Sequence, residues 1–387
     1  MLDYIVRNIY LFSAAAMLAI GHFYDERLVI YNINITLIIS IFYTISSLFL
    51  LLKNNTITIS ISKFVFYLFS ILCIAFIAPY KAYFNHKPVL VNQSLTIDDG
   101  STINMAISKI IHQNIINKLY FKIFLIINNI DTFMSGEYEV YQKTLSEIVS
   151  DMKNGNTITH KIIINEGTNV FELNNIINDS YLINDCEMLK CINSSFNYIE
   201  GTLYPDTYFY KRGDKASVLL QKSHDRLMNY LNTISSNKIR VNSLSNEELL
   251  ILSSIIEKEA GNHYEKPLIA GVFIKRLNQN MRLQADPTII YGLLPNFDGD
   301  IRKSNILDRN NKYNTYMING LPPSPIAISS ISSIDAAFGA TPGEYLYFVA
   351  DSSKSHYFSK TYDEHLNKIR ELGLYKWKLL ALKGLRV

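Results

Sequence analysis

The hydrophobic positions of this chain follow two different rules on either side of residue 85. Before it, apolar residues run on with little interruption. Asn8–Tyr24, Leu28–Leu52 and Phe64–Tyr80 contain no Asp, Glu, Lys or Arg. The second is long enough for a membrane helix, the third slightly short, and the first is shorter and interrupted by His22. The expectation is two membrane segments within residues 1–60 (8–24 and 28–52) and a membrane anchor over 62–84. The stretch from Lys53 to Lys63 has lysines and no acid, whereas Asp25, Glu26 and Arg27 separate the first two runs. The positive-inside rule then puts everything after residue 85 on the extracytoplasmic side of a plasma membrane. No small-residue cleavage site follows any run, so the anchor is expected to stay uncleaved.

After residue 87 the pattern becomes periodic. Val89–Ile97 alternates as a strand, Asp98-Asp99-Gly100 is a turn, Thr102–Gln113 and Lys118–Asn128 have helical spacing, and Gly136–Tyr141 is a second strand. This predicts a small βααβ module over 87–142. From 143 to 387 helices and strands mix. Helices are expected at Thr144–Asn154, Asn169–Ile177, Ala216–Ser235, Leu268–Asn278 and Thr361–Leu379. Strands are expected at His160–Asn165, Met281–Gln284 and Tyr345–Ala350, the last paired with a segment carrying His356 and Phe358. The fold class is α+β.

One helix carries the chemistry. Ser245 with Glu248 three residues on forms a capping box, Leu244 and Leu249 suit a hydrophobic staple, and Gly261 suits a left-handed end. At about 100° per residue, Leu252, Ile255 and Ile256 form an apolar stripe with Glu259 in its middle, while Glu257 falls on the opposite, solvent side beside Ser253 and Ser254. A carboxyl on an apolar face has its charged form disfavoured, as a general acid near neutral pH requires. The alternative is a helix-end acid paired with a lysine or exposed to water.

Several strings resemble the MltG (YceG-like) family of endolytic peptidoglycan transglycosylases. They are Ser-Ile-Ile-Glu-Lys-Glu (254–259), Gly-Val-Phe-Ile-Lys-Arg-Leu (271–277), Met-Arg-Leu-Gln-Ala-Asp-Pro-Thr-Ile-Ile-Tyr-Gly (281–292) and Tyr-Asn-Thr-Tyr with Gly-Leu-Pro-Pro-Ser-Pro-Ile (313–326). Tyr-Leu-Tyr-Phe-Val-Ala-Asp (345–351) and Glu-Gly-Thr-Leu-Tyr-Pro-Asp-Thr-Tyr (200–208) belong with them. The resemblance implies that Glu259 is the catalytic residue and that the βααβ module is LysM-like. It also implies that Gln284, Asp286, Tyr291, Asn314, Glu166 and Tyr204 line a glycan groove. Asp286 could equally cap the turn after it, Glu166 the helix after it, and Tyr204 could be a packed aromatic. Lys275 stands where the family usually has an asparagine, while Arg276 matches. The family usually has a single membrane helix, so the first two segments are a departure.

The implied reaction is cleavage of the N-acetylmuramic acid–β-1,4–N-acetylglucosamine bond of nascent strands to give 1,6-anhydro ends. The implied partners are peptidoglycan strands, penicillin-binding proteins and other cell-wall synthesis proteins, with no metal or organic cofactor. A lysozyme-like hydrolase, needing a second carboxylate such as Asp286 or Glu166, and a non-catalytic glycan-binding membrane scaffold are the alternatives. Composition adds exclusions. A net charge of +3, with 37 basic against 34 acidic residues, argues against a nucleic-acid partner. Cys186 and Cys191 are either bridged or two thiols, and no His or Cys stands near them at zinc-ligand spacing.

Overall fold

Strand β1 (Ser94–Ile97) pairs antiparallel with β2 (Gly136–Glu139), Ser94 opposite Glu139 and Ile97 opposite Gly136. Between them lie α1 (Ile103–Ser108), capped by Thr102, and α2 (Ile115–Ile127), capped by Asn114. The βααβ order is as expected, with α2 starting earlier because Asn114 accepts the N–H of Asn117. The structure is a computed structural model describing residues 29–30, 33–34, 79–88, 93–111, 114–237, 242–351 and 355–374.

The chain divides into two units between Ile158 and Thr159, beyond the boundary expected at 142/143. Helix α3 (Leu145–Asn154) accounts for the difference. Its buried Leu145, Ile148, Val149 and Met152 complete the core of the first unit with Phe121, Tyr138 and Ile107. The expected segments 8–24 and most of 28–52 and 62–84 lie outside the described residues. Inside the second, Val29–Ile30 pairs antiparallel with Ile33–Asn34, so this part is extended and not the expected helix, as suits β-branched Val and Ile. Residues 79–85 are helical, and Tyr80 and Phe84 are buried in the first unit's core, so the end of the expected anchor is module. Among the described residues no helix is long and apolar enough to cross a membrane.

The second unit opens with β3 (His160–Ile164), α4 (Val170–Asn178) and β4 (Asp206–Tyr210), the strands antiparallel with His160 opposite Tyr210. Ile162, Ile164, Tyr208 and Tyr210 pack with Leu173, Ile177 and Leu220. Cys186 and Cys191 form a disulfide with Cα atoms 5.0 Å apart. Then come α5 (Ala216–Asn237), α6 (Asn246–Glu259), α7 (Lys266–Asn278), α8 (Asp286–Leu293) and α9 (Ile331–Gly339). The hairpin of β5 (Tyr347–Ala350) and β6 (His356–Ser359) precedes α10 (Tyr362–Glu371).

Helix α6 is buried on all sides rather than amphipathic. Every residue from Leu249 to Ile256 is buried, and its two serines are satisfied internally. Ser253 Oγ donates to the Leu250 carbonyl and pairs with Ser329 Oγ, while Ser254 Oγ donates to Ile251 and accepts from the Ile326 N–H. The capping box of Ser245 and Glu248 forms as expected. The expected left-handed end at Gly261 does not. The helix stops at Ala260, which is extended at φ −70°, ψ 124°.

Candidate active site

Side chains on the last turn of α6 fix that turn. Glu257, expected in solvent, has a side chain only 12% exposed and accepts from Lys266 Nζ at 3.0 Å. It also accepts from the Ser330 N–H at 2.9 Å, Ser330 Oγ at 2.5 Å and Ser333 Oγ at 2.6 Å. Burial pushes its carboxyl up, but the hydrogen bonds from Ser330, Ser333 and Lys266 outweigh burial and hold it below the usual carboxylate range. Lys258 Nζ donates to the Gly167 carbonyl at 3.1 Å, tying the other side of the turn to the loop after β3.

Glu259, the final residue of α6, is therefore presented half-buried from an immobilised helix end. Two buried groups feel its charge, Arg276 on α7 and Tyr316. The Arg276 guanidinium donates to the carbonyls of Leu346 at 2.8 Å and Leu283 at 2.9 Å and reaches Gln284 Oε1 at 3.5 Å. Burial lowers its pKa, against the opposing pull of Tyr347, Tyr316 and Glu259. Tyr316 Oη donates to Asp286 Oδ1 at 2.6 Å. Burial first, then the Asp286 and Glu259 charges, push this phenol well above its ordinary range, so it stays protonated. Glu259, Arg276, Gln284, Asp286 and Tyr316 thus form one constellation.

Two expectations about the backbone here are corrected. Residues 281–285 are not a strand. Gln284 stands at φ 55°, where a strand cannot continue, and its N–H goes to the Thr315 carbonyl. Asp286-Pro287 is not an isolated turn but the first turn of α8, with Pro287 where its missing N–H costs nothing.

A sequence model of the YceG-like family matches residues 95–371. This chain belongs to the YceG-like family. It is similar to the endolytic murein transglycosylase of Bacillus subtilis, 29% identical over 72% of this chain and 84% of that protein. The Streptococcus pneumoniae protein of the same name is 32% identical over 48% of this chain, which spans about a third (34%) of that longer protein. A crystal structure of a yceG-like protein from Listeria monocytogenes is 28% identical, covering 71% of this chain and 97% of that one, with a TM-score of 0.48.

The remaining expected groove residues of this YceG-like chain fare differently. Tyr291, on α8, turns its hydroxyl to Glu200 Oε2 at 2.8 Å and packs edge-on against Tyr313 at 4.7 Å. Asn314 is not available to a ligand. It is fully buried, its Nδ2 donates to the carbonyls of Asn305, Ile306 and Asp308, and its Oδ1 accepts the Tyr316 N–H. It shapes the loop that delivers Tyr316. Asn314→Ala would orphan these groups and is expected to cost about 3 kcal/mol of stability, read from the urea midpoint.

Tyr204 has Arg226 stacked over its ring at 4.1 Å and Tyr230 edge-on at 6.3 Å, so one of its faces is closed to a sugar. Glu166 is exposed beside Gly167. It does not cap α4; Asn169 does, accepting from the N–H groups of Phe171 and Glu172. Lys275 donates to the Glu344 carbonyl at 2.7 Å, a structural contact on the rim of β5. His356 is likewise structural, its Nδ1 2.9 Å from Glu265 Oε2. Among the described residues no group of His, Cys, Asp and Glu side chains could hold a metal ion.

Sequence reasoning gave no role to Glu200, which is 4% exposed. Its carboxylate accepts from the Val170 N–H at 2.9 Å, the Gly201 N–H at 3.1 Å and Tyr291 Oη. Gly201 sits at φ 69° with Pro325 where a Cβ would be, which explains the Glu-Gly pair. Burial outweighs the three donors and pushes the carboxyl up to about 7, with Glu172 adding to the rise. A carboxyl raised in the folded state gives full stability below its unfolded value. That stability is lost as pH rises from about 4.5 towards 7. Denaturant titrations of the wild type should show this fall, of about 3 kcal/mol, and Glu200→Gln should flatten it.

Proposed function

We propose that this protein is a membrane-anchored endolytic murein transglycosylase that cuts nascent peptidoglycan strands and limits their elongation. The observation that carries the reading is the constellation gathered around one helix-end glutamate. Glu259 is a half-buried carboxyl on a fixed helix end, its charge is felt by Arg276 and Tyr316, and the nearby Asp286 accepts the Tyr316 hydroxyl. A single acid–base carboxyl is what an internal displacement needs.

In this mechanism protonated Glu259 donates to the glycosidic oxygen as the C1–O bond of N-acetylmuramic acid breaks, through an oxocarbenium-like transition state. The leaving N-acetylglucosamine departs with a free 4-hydroxyl. The ionised Glu259 then takes the proton of the muramic acid's own C6 hydroxyl as O6 bonds to C1. The 1,6-anhydro ring closes, the carboxyl is regenerated and no water is consumed. The buried Arg276 guanidinium stabilises the carboxylate that exists between the two proton transfers. Protonated Tyr316, held by Asp286, offers a neutral polar wall beside it. Nothing in the mechanism calls on a metal or an organic cofactor.

Support for the substrate comes from the family membership and from the Bacillus relative, which is named for this activity. Anchoring rests on the uncharged run Phe64–Tyr80, and the charge distribution around the runs supports an extracytoplasmic catalytic domain. There the enzyme would work beside penicillin-binding proteins, with the LysM-like module as a glycan-binding spacer. Full-length protein incubated with purified peptidoglycan should release fragments whose muramyl ends are one water lighter than reducing ends by mass spectrometry. Reducing ends alone would make it a hydrolase. No release from folded, membrane-reconstituted protein would make it a scaffold.

A further inference from the structure

The helix α2 of the first unit has two faces of different character. One carries Phe121, buried in the module core, with Tyr120 and Phe124 beside it. Those rings hold residues 79–85. Phe84 stacks on Phe124 at 4.2 Å between ring centres, and Tyr80 meets Tyr120 edge-on at 5.7 Å. The other face carries Ile115, Leu119 and Ile126 at helical spacing with Ile116 at its side, and these four are between 49% and 86% exposed. Scattered surface apolar residues are ordinary, but three along one stripe of one helix with a fourth beside it are not. Lys118 and Lys122 stand exposed along the same stripe, and the helix has no acidic residue.

Two facts point to what covers this stripe. Exposed lysines beside an apolar stripe on an acid-free helix are the pattern of helices that lie in the interface of an anionic bilayer. The helix is also held, through Tyr80 and Phe84, to the end of the uncharged run Phe64–Tyr80. The chain therefore passes from that run into the module core with no spacer between them. We propose that α2 is an interfacial helix whose Ile115–Leu119–Ile126 stripe lies in the headgroup region of the bilayer. It is about 20 Å long, enough to hold the module flat against the membrane. The inference rests on the membrane-anchored reading above and deepens it. An anchor alone sets how far the enzyme reaches, and a second contact also fixes its orientation to newly made strands.

The test uses the full chain in vesicles of phosphatidylcholine and phosphatidylglycerol. Trp377 is the single tryptophan, so Trp377→Phe gives a silent background. Leu119→Trp then reports from the stripe, and Tyr141→Trp from an exposed position elsewhere on the module. With brominated lipids the indole placed at 119 should lose emission roughly two-fold, as suits a depth of about 5–10 Å, and the one placed at 141 should not. If the protein floats with the vesicles but the probe at 119 emits as in water, or is shielded without being quenched, the stripe faces solvent or protein and the proposal falls. Failure of the protein to float would overturn the anchor and the interfacial helix together, whereas a floating protein with an unquenched probe at 119 overturns the interfacial helix alone.

Discussion

Glu259→Gln is expected to abolish formation of anhydro-muramyl ends while leaving the protein folded. The amide keeps the size of the side chain but can neither give nor take the proton, and both steps of the reaction pass through this one group. General acid–base catalysis is worth roughly 10²–10⁴-fold for each positioned group, so loss of both roles should bring product below detection. The folded state should be barely affected, because Glu259 is only half-buried at a helix end. The measurement is the yield of anhydro ends from equal amounts of the two proteins, with thermal melts alongside. An active Glu259→Gln variant would move the chemistry elsewhere, with Asp286 first in line.

The second large effect is on stability. Glu257 and Lys266 form an ion pair whose side chains are 12% and 9% exposed, and Lys266 Nζ also donates to Ser330 Oγ and Ser332 Oγ. Glu257→Ala would leave a buried ammonium with hydroxyls alone and is expected to cost about 3–5 kcal/mol. Glu257→Gln with Lys266→Met together should cost much less, because neither charge is then stranded. The wild-type contribution depends on pH in the usual carboxylate direction. Glu257 is held below its ordinary value, so its stabilisation is present above that value and is lost as pH falls through the folded one. Chemical denaturation of the three proteins at several pH values measures each of these. Activity should fall with Glu257→Ala even where the protein is still folded, since the same turn presents Glu259.

The difference between Glu257 and Glu259 shows where reading the chain succeeds and where it stops. The cap at Ser245 and the stripe of Leu252, Ile255 and Ile256 are local patterns, and they locate α6 and its start correctly. Periodicity reports which residues share a face. It does not report that a second face is also covered. Ser253, Ser254 and Glu257 suggest a solvent side because they are polar, yet α7, α9 and the segment 326–330 bring partners for all of them from elsewhere in the chain.

The same limit explains Asn314 and Tyr204. Polar and aromatic residues in a resembling string suggest groove contacts, whereas the fold gives Asn314 three carbonyls and Tyr204 an arginine. Glu200 and Tyr316 lay in quoted strings but took on meaning only once Tyr291 and Asp286 were seen opposite them. The βααβ order of the first unit was legible from alternation and turns. The place of α3 in that unit's core was not, because Leu145, Ile148 and Met152 look the same whichever core they join.

The central claim is that one carboxyl makes both proton transfers and water takes no part. Digestion of peptidoglycan by the wild-type protein in heavy-oxygen water tests it most directly, with mass spectrometry of the new muramyl ends. The account predicts anhydro ends free of the heavy isotope, formed by the wild type and absent with Glu259→Gln. One heavy oxygen at C1 for every bond cut would contradict it, because water would then be the nucleophile and a second carboxylate would have to activate it.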